Sequence, residues 1–235
     1  MNKEEFINEL LKLNITLSPT QIDQLDKYYK MLIEWNNKIN LTRIIEEKDV
    51  YLKHFYDSIT LFRDVNLQGN MSICDVGTGA GFPGLVLKIV FPNLKVVLVD
   101  ALEKRIKFLN AVINELNLKN IETYHDRGEI FARNHREEFD IVTSRAVANL
   151  KVLSEICLPM VKVNGLFVPM KGNIDEEVEN AKEIISHLNS NIEKIDSFQL
   201  PFELSNRNII VIKKTKKNSL MYPRSYDKIK KIVEK

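Results

Sequence analysis

Apolar residues in the first third of the chain recur at three- and four-residue intervals, whereas from residue 72 onward short apolar runs alternate with such intervals. The first spacing belongs to helices with one buried stripe; the alternation belongs to strands covered by helices. "FINELLKL" puts Phe6, Ile7, Leu10 and Leu11 on one stripe. "SPTQ" supplies Ser18 as N-cap, Pro19 at the first helical position and Gln21 as the reciprocating member of a capping box. The helix that follows turns Ile22, Leu25, Tyr29, Leu32 and Ile33 inward and ends near "NNKIN". A third helix is expected over 48–62, with Tyr51, Phe55 and Ile59 buried, Lys53 and Asp57 on the opposite face, and His54 at its edge.

Beyond residue 72, "SICDV", "KVVLVD", "IETYH", "FDIVTS" and "GLFVPMK" read as strands, separated by helices at "GFPGLVLKIV", "EKRIKFLNAVINEL" and "NLKVLSEICLPM" and followed by one at "EVENAKEIISHL". Such alternation predicts an α/β fold with a Rossmann-like, mostly parallel sheet. The last strands, near 195–204 and 208–214, are joined by a link too short for a parallel crossover, so the final strand is expected to be antiparallel. The organisation expected is a helical N-terminal extension packed on the core (1–65), an α/β domain (66–214) and a basic C-terminal tail (215–235).

Charge adds an asymmetry. The chain has a formal net charge of +2, yet residues 211–235 alone hold nine Lys or Arg and two acids, leaving the first 210 residues at −5. Lys213, Lys214, Lys216 and Lys217 are therefore expected to attract phosphate. Cys74 and Cys157 are too few for a disulfide framework and sit among apolar neighbours, and the four histidines have no ligand spacing, so no metal is expected. No apolar run reaches eighteen residues and "MNKEEF" does not read as a signal peptide; the expectation is a cytoplasmic protein with no membrane partner.

The chemistry is concentrated in "CDVGTGAGFPG", residues 74–84. No "GK[ST]" follows, which excludes a Walker-type phosphate loop. Gly77, Gly79 and Gly81 give GxGxG, and Phe82 stands where a dinucleotide loop has its last glycine. A ligand with an adenosine but no phosphate suits this loop, which points to S-adenosylmethionine. Asp75 ends the first strand beside the loop, where a carboxylate could help orient the ligand's ammonium group, directly or through water. Asp100 ends the second strand, 23 residues after Gly77, within reach of both ribose hydroxyls.

The acceptor is narrowed by what is absent. Both cysteines lie inside elements, so neither is placed as a thiolate nucleophile for a pyrimidine carbon, and no Asn/Asp-Pro-Pro-aromatic run follows the fourth strand. Ser144 and Arg145 end that strand instead. An arginine there could bind phosphate, the donor's carboxylate or the O6/N7 edge of guanine. Guanine N7 has a lone pair and no proton, so alignment suffices and no general base is needed. Lys171 and Gly172, after the next strand, could line the acceptor side. Lys53 and His54 could face RNA; alternatively, Asp57 holds His54 or Asn40 in a polar network that fixes the extension on the sheet.

"KINLTRI" (38–44), "KHFYDS" (53–58), "CDVGTGAGFPG", "SRAVA" and the late "YPR" together resemble the bacterial 16S ribosomal RNA guanine-N7 methyltransferase family, long called glucose-inhibited division protein B. The resemblance spans nearly the whole chain. It implies a seven-stranded class I S-adenosylmethionine-dependent methyltransferase sheet with a helical extension. It also implies methylation of guanine 527 at N7, in the 530 loop of 16S ribosomal RNA or of a small-subunit assembly particle. By this resemblance Gly77 and Phe82 are expected to bind the donor, Gly128 and Glu129 in "DRGEIF" to line its adenine, Asp100 to hold its ribose and Arg145 to lie near donor and acceptor; Gly79 is a further donor-binding candidate from the loop, and Arg224 a substrate-binding candidate from the basic tail. Gly128 departs from the alanine or valine usual in the family, and "SYDKIKKIVEK" departs from its glycine- and proline-containing tail. The competing expectations are a methyltransferase for another RNA base or a small molecule, a nonenzymatic RNA-binding protein on this fold and, more distantly, a nicotinamide oxidoreductase.

Overall fold

Side chains alternate across the strands, and the alternation sorts apolar residues into two cores on opposite faces of a seven-stranded sheet. The computed structural model describes residues 1–145, 147–174 and 176–231. The strands are β1 (Ser72–Val76), β2 (Lys95–Asp100), β3 (Ile121–His125), β4 (Phe139–Arg145), β5 (Val161–Lys171), β6 (Ser190–Gln199) and β7 (Asn206–Lys214), in the order β3-β2-β1-β4-β5-β7-β6. β7 is antiparallel to β5 and β6, and the remaining neighbours are parallel, as the short link between the last strands foretold. In β1, Ile73 enters one core and Cys74 the other; in β7, Ile209 and Val211 face one core while Ile210 and Ile212 face the other. Both cysteines are buried free thiols.

One face is covered by α1 (Lys3–Lys12), α2 (Pro19–Ile39), α5 (Gly84–Val90) and α6 (Glu103–Glu115), the other by α7 (Gly128–Asn134), α8 (Leu150–Cys157), α9 (Glu177–His187) and α10 (Tyr226–Lys230). No helix among the described residues is long and apolar enough to cross a membrane. The Ser18–Gln21 capping box forms, and the same Gln21 amide donates to the Ile89 and Val90 carbonyls at 2.8 and 2.9 Å. Gln24 likewise reaches the Leu116 carbonyl at 3.0 Å. These carbonyls end α5 and α6, so α2 satisfies groups the two helices cannot satisfy themselves. Its stripe is turned slightly from the expected one. Tyr28 is fully buried and Tyr29 only partly, because the Tyr28 hydroxyl donates to the Ala80 carbonyl; on α1, Leu11 is exposed.

The third helix is composite: α3 (Glu47–Asp49), a π-helical turn (Val50–Tyr56), α4 (Asp57–Ile59) and a 3-10 turn (Thr60–Arg63). The wider i→i+5 turn changes the phase of everything after it. Asp57, expected on an exposed face, is consequently buried, as is His54.

Strand order reverses between β1 and β4, and in open α/β sheets the ligand crevice lies outside the carboxyl ends of the strands at such a point. Because β7 is antiparallel, its first residues join that edge: Asn208 is paired with Lys171. Its last residues lie at the opposite edge, where Lys213 is paired with Leu166. Lys214 is fully buried, its ammonium 2.8 Å from the Val161 carbonyl and 3.1 Å from that of Leu158, and burial lowers its pKa to about 8. The expected phosphate cluster at 213–217 thus loses Lys214 to the core and lies away from the crevice. The tail then returns along α7 and α8, where Arg136 donates to the carbonyls of Asn218, Ser219 and Tyr222. The Arg127 guanidinium, at the start of α7, lies 4.6 Å from the Tyr226 ring, which brings α10 back to the crevice edge.

Candidate active site at the carboxyl edge of the sheet

The glycine loop leaves β1 with the Gly77 and Thr78 N–H groups donating to the Val99 carbonyl at 2.8 and 3.1 Å. Gly79 has a φ of +62°, and a Cβ there would meet nothing within 4 Å, so its open side faces the crevice. Gly81, at +103°, is enclosed: a Cβ would lie 2.6 Å from the Tyr28 hydroxyl. Asp75 is completely buried beneath the loop. One oxygen accepts from the Thr78 hydroxyl (2.7 Å) and the Gly84 N–H (2.8 Å), and the other has no partner among the described residues. Burial raises this carboxyl to about 6, against the opposing effect of those hydrogen bonds. It braces the loop and does not line the crevice, contrary to direct contact with a ligand.

Asp100 does line the crevice. Its Oδ2 accepts from the Gly79 N–H at 2.9 Å and from Arg105 at 3.1 Å, while its Oδ1 accepts from the Leu102 N–H at 2.9 Å. Gly77, Gly79, Phe82, Asp100, Arg105 and Arg145 contribute to the walls of a cavity of about 490 Å³ over the loop. Open space above Gly79 beside a buried, oriented carboxylate is a shape and chemistry that suit an adenosyl ligand.

Arg145 separates this cavity from a second one of about 320 Å³, and both share His54. Its NH1 donates to the Lys53 carbonyl (3.0 Å) and to Asp57 (2.9 Å), and the guanidinium carbon lies 5.3 Å from the centre of the Phe82 ring. Its NH2 lies 3.3 Å from His54 Nδ1. Arginine can only donate, so Nδ1 accepts and the imidazole proton sits on Nε2, which donates to the Thr42 hydroxyl at 2.9 Å. Burial first, and the Arg145 charge second, push His54 down to about 3, so the ring is neutral and stacks on Phe82 at 4.2 Å. The other oxygen of Asp57 accepts from Arg207 at 3.0 Å. Asp57 therefore holds two arginines rather than His54 or Asn40.

The remaining sequence candidates divide. Lys53 and Lys171 line the second cavity; Lys53 pairs with Glu203 (3.1 Å) and Lys171 with Glu177 (2.8 Å). Ser144 is buried and donates to the Val76 carbonyl at 2.8 Å, tying β4 to β1. Gly128 and Glu129 line neither cavity; a Cβ on Gly128 would sit 2.9 Å from Val76, and buried Glu129 is ion-paired with Arg127 at 2.9 Å. Arg224, expected to face substrate, instead forks onto the buried Glu155 of α8, with Nε at 2.8 Å from one carboxylate oxygen, and clamps the tail. Ala146 of "SRAVA" lies outside the described residues. Sequence reasoning missed Arg207, Arg105, Thr42 and Tyr28. The signal for Arg207 was present: an antiparallel last strand brings its opening "NRN" to the active edge.

The sequence model of the family described as rRNA small subunit methyltransferase G matches residues 21–210. A protein of Bacillus licheniformis named ribosomal RNA small subunit methyltransferase G is 53% identical over 227 residues, 95% of each chain. Among solved structures, a precorrin-6y C5,15-methyltransferase from Geobacter metallireducens superposes with a TM-score of 0.53 at 13% identity, covering 73% of this chain and 90% of its own. Fibrillarin from Aeropyrum pernix, solved with natively bound S-adenosyl-L-methionine, also gives 0.53 at 13% identity, covering 66% and 72%. At these identities the two structures share the fold alone with this chain.

Proposed function

The chain belongs to the rRNA small subunit methyltransferase G family, and from that premise we propose that it transfers a methyl group from S-adenosylmethionine to N7 of guanine 527, in the 530 loop of 16S ribosomal RNA. The observation that carries this reading is the meeting of two cavities at Arg145 and His54, one floored by the glycine loop and the other walled by Lys53, Lys171 and Arg207. Bound over the loop, S-adenosylmethionine supplies an electrophilic methyl on a positively charged sulfur. Asp100 orients the ribose and Gly79 gives the backbone room. On the other side, the cationic walls suit an RNA nucleotide, and Arg145 stands where it can meet the O6 edge of a guanine.

No residue needs to remove a proton, because N7 carries none. Neutral His54 therefore serves as a wall: it stacks on Phe82 and accepts from Arg145, and Asp57 fixes the same guanidinium from another side. Rate enhancement then comes from alignment and exclusion of water. The positive charge carried by the donor passes to the guanine, so the site undergoes no net change in charge. In this reading residues 66–214 are the methyltransferase domain, the helical extension 1–65 walls the acceptor cavity, and the enzyme works in the cytoplasm on ribosomal RNA or its assembling particle.

Radiolabelled donor offered to 16S RNA, to small-subunit particles and to a panel of free nucleosides tests the substrate class. Label should enter the RNA or the particle and be absent from the nucleosides. Label confined to a free nucleoside, or absent throughout despite donor binding, would reject the reading.

A further inference from the structure

The acceptor cavity does not end at Arg207. A third cavity, of about 370 Å³, shares Gly172 and Arg207 with it and extends the crevice along the ends of β6 and β7. Its walls differ in chemistry from those of its neighbour. Asn173, Ser197, Gln199, Asn206 and Asn208 supply amides and a hydroxyl, and Phe198 supplies an apolar wall whose ring lies 4.4 Å from the Arg63 guanidinium. Arg207 is the one charged side chain among the described lining residues, and Asp57 already engages it. Neutral hydrogen-bonding groups beside an aromatic ring are suited to a base, whereas a phosphate would call for cations.

We propose that this third cavity binds the base of a nucleotide flanking the methylated guanine, with Gln199 and Asn206 reading its edge. These two residues are cross-strand partners at the mouth of the β6–β7 hairpin, and the Gln199 side-chain amide donates to Asn206 Oδ1 at 3.2 Å. That bond uses one Gln199 donor and the Asn206 acceptor. It leaves the Gln199 amide oxygen as an acceptor and the Asn206 amide N–H groups as donors, both on the exposed ends of paired strands. A base edge with neighbouring donor and acceptor atoms answers this pair, as the adenine edge answers a single Asn or Gln amide. The buried Asn208 stiffens the floor: its amide donates to the Gly172 carbonyl and its oxygen accepts from the Ser197 hydroxyl at 2.6 Å. The junction at Gly172 and Arg207 gives a splayed strand a direct path from one cavity to the next.

The inference rests on the RNA methyltransferase reading, and its test separates the two. Small-subunit particles are reconstituted with intact 16S RNA, or with RNA carrying an abasic residue immediately 5′ or 3′ of the guanine. The Q199A/N206A double variant, its fold checked by unchanged affinity for S-adenosylhomocysteine, should transfer methyl to limiting intact particles about fivefold to a hundredfold more slowly than the parent. At one of the two abasic positions the parent should slow by a similar factor and the variant no further. Since neutral groups displace no counterions, the salt dependence of RNA binding should be the same for both proteins. Equal rates on intact particles, or losses that multiply at both abasic positions, would overturn the subsite. A parent that fails on intact particles would instead reject the proposed function.

Discussion

At the scale of single residues, buried ionisable groups surround Arg145 and make acid sensitivity a test of the site. The unfolded chain protonates histidine near 6.5, whereas folded His54 resists protonation down to about 3. As pH falls through that window the unfolded state binds more protons, so stability is lost at up to about 1.4 kcal/mol per unit. Asp75 acts in the opposite sense: its folded pKa is raised from 3.8 to about 6, so between those values acidification favours the fold. Comparing parent and variant cancels that contribution. Replacing His54 by Gln should therefore reduce the stability lost between pH 7 and pH 5, measured by urea denaturation, by up to about 2 kcal/mol. Equal losses in the two proteins would mean that His54 titrates as an exposed histidine. The sequence offered a polar network around Asp57 that fixes the extension on the sheet, but named the wrong partners, His54 or Asn40; the actual ones, Arg145 and Arg207, lie 88 and 150 residues away from Asp57.

Among elements, the strands were readable because continuous apolar runs admit few alternatives, and the antiparallel β7 followed from the length of the link before it. The third helix was misread because periodicity assumes 3.6 residues per turn, and the π-helical turn Val50–Tyr56 breaks that assumption where it matters most. The tail was misread for a different reason. Lysines count equally in a sequence, yet Lys214 is spent on core carbonyls and Lys216 and Lys217 follow β7 to the edge remote from the crevice. Exposed Lys228 and Lys231 stand on or beside α10, near the crevice edge. Neutralising Lys228 and Lys231 together should lower the slope of log affinity for RNA against log salt by about 1.4, from roughly 0.7 per single-strand phosphate contact. Neutralising Lys216 and Lys217 should leave the slope unchanged. The reverse result, read from filter-binding titrations, would place the RNA on the far edge.

For the whole molecule, the sheet has a division of labour between its edges and its faces. One core welds the N-terminal helices to the sheet, so the extension that carries Thr42, His54 and Asp57 is held rigidly against the loop that carries Phe82. The other core anchors the tail through Ile229 and the Arg224–Glu155 fork. All three cavities open along the carboxyl edge between those faces, which is why the glycine loop, Asp100 and Arg145 could be found from the ends of strands, whereas Arg207 had to be sought at the start of the one reversed strand. The account depends on Arg145 aligning a guanine N7 with the donor. Methylation at N7 makes a guanine susceptible to strand scission by reduction followed by aniline, so 16S RNA or small-subunit particles incubated with donor and enzyme can be read at nucleotide resolution. The parent should produce one new cut, at guanine 527, and Arg145→Ala should form it about 100- to 1000-fold more slowly, a loss of roughly 3–4 kcal/mol of transition-state stabilisation. A methyl group recovered on a ribose, an exocyclic amine or a pyrimidine carbon, or undiminished cutting with Arg145→Ala, would contradict the account.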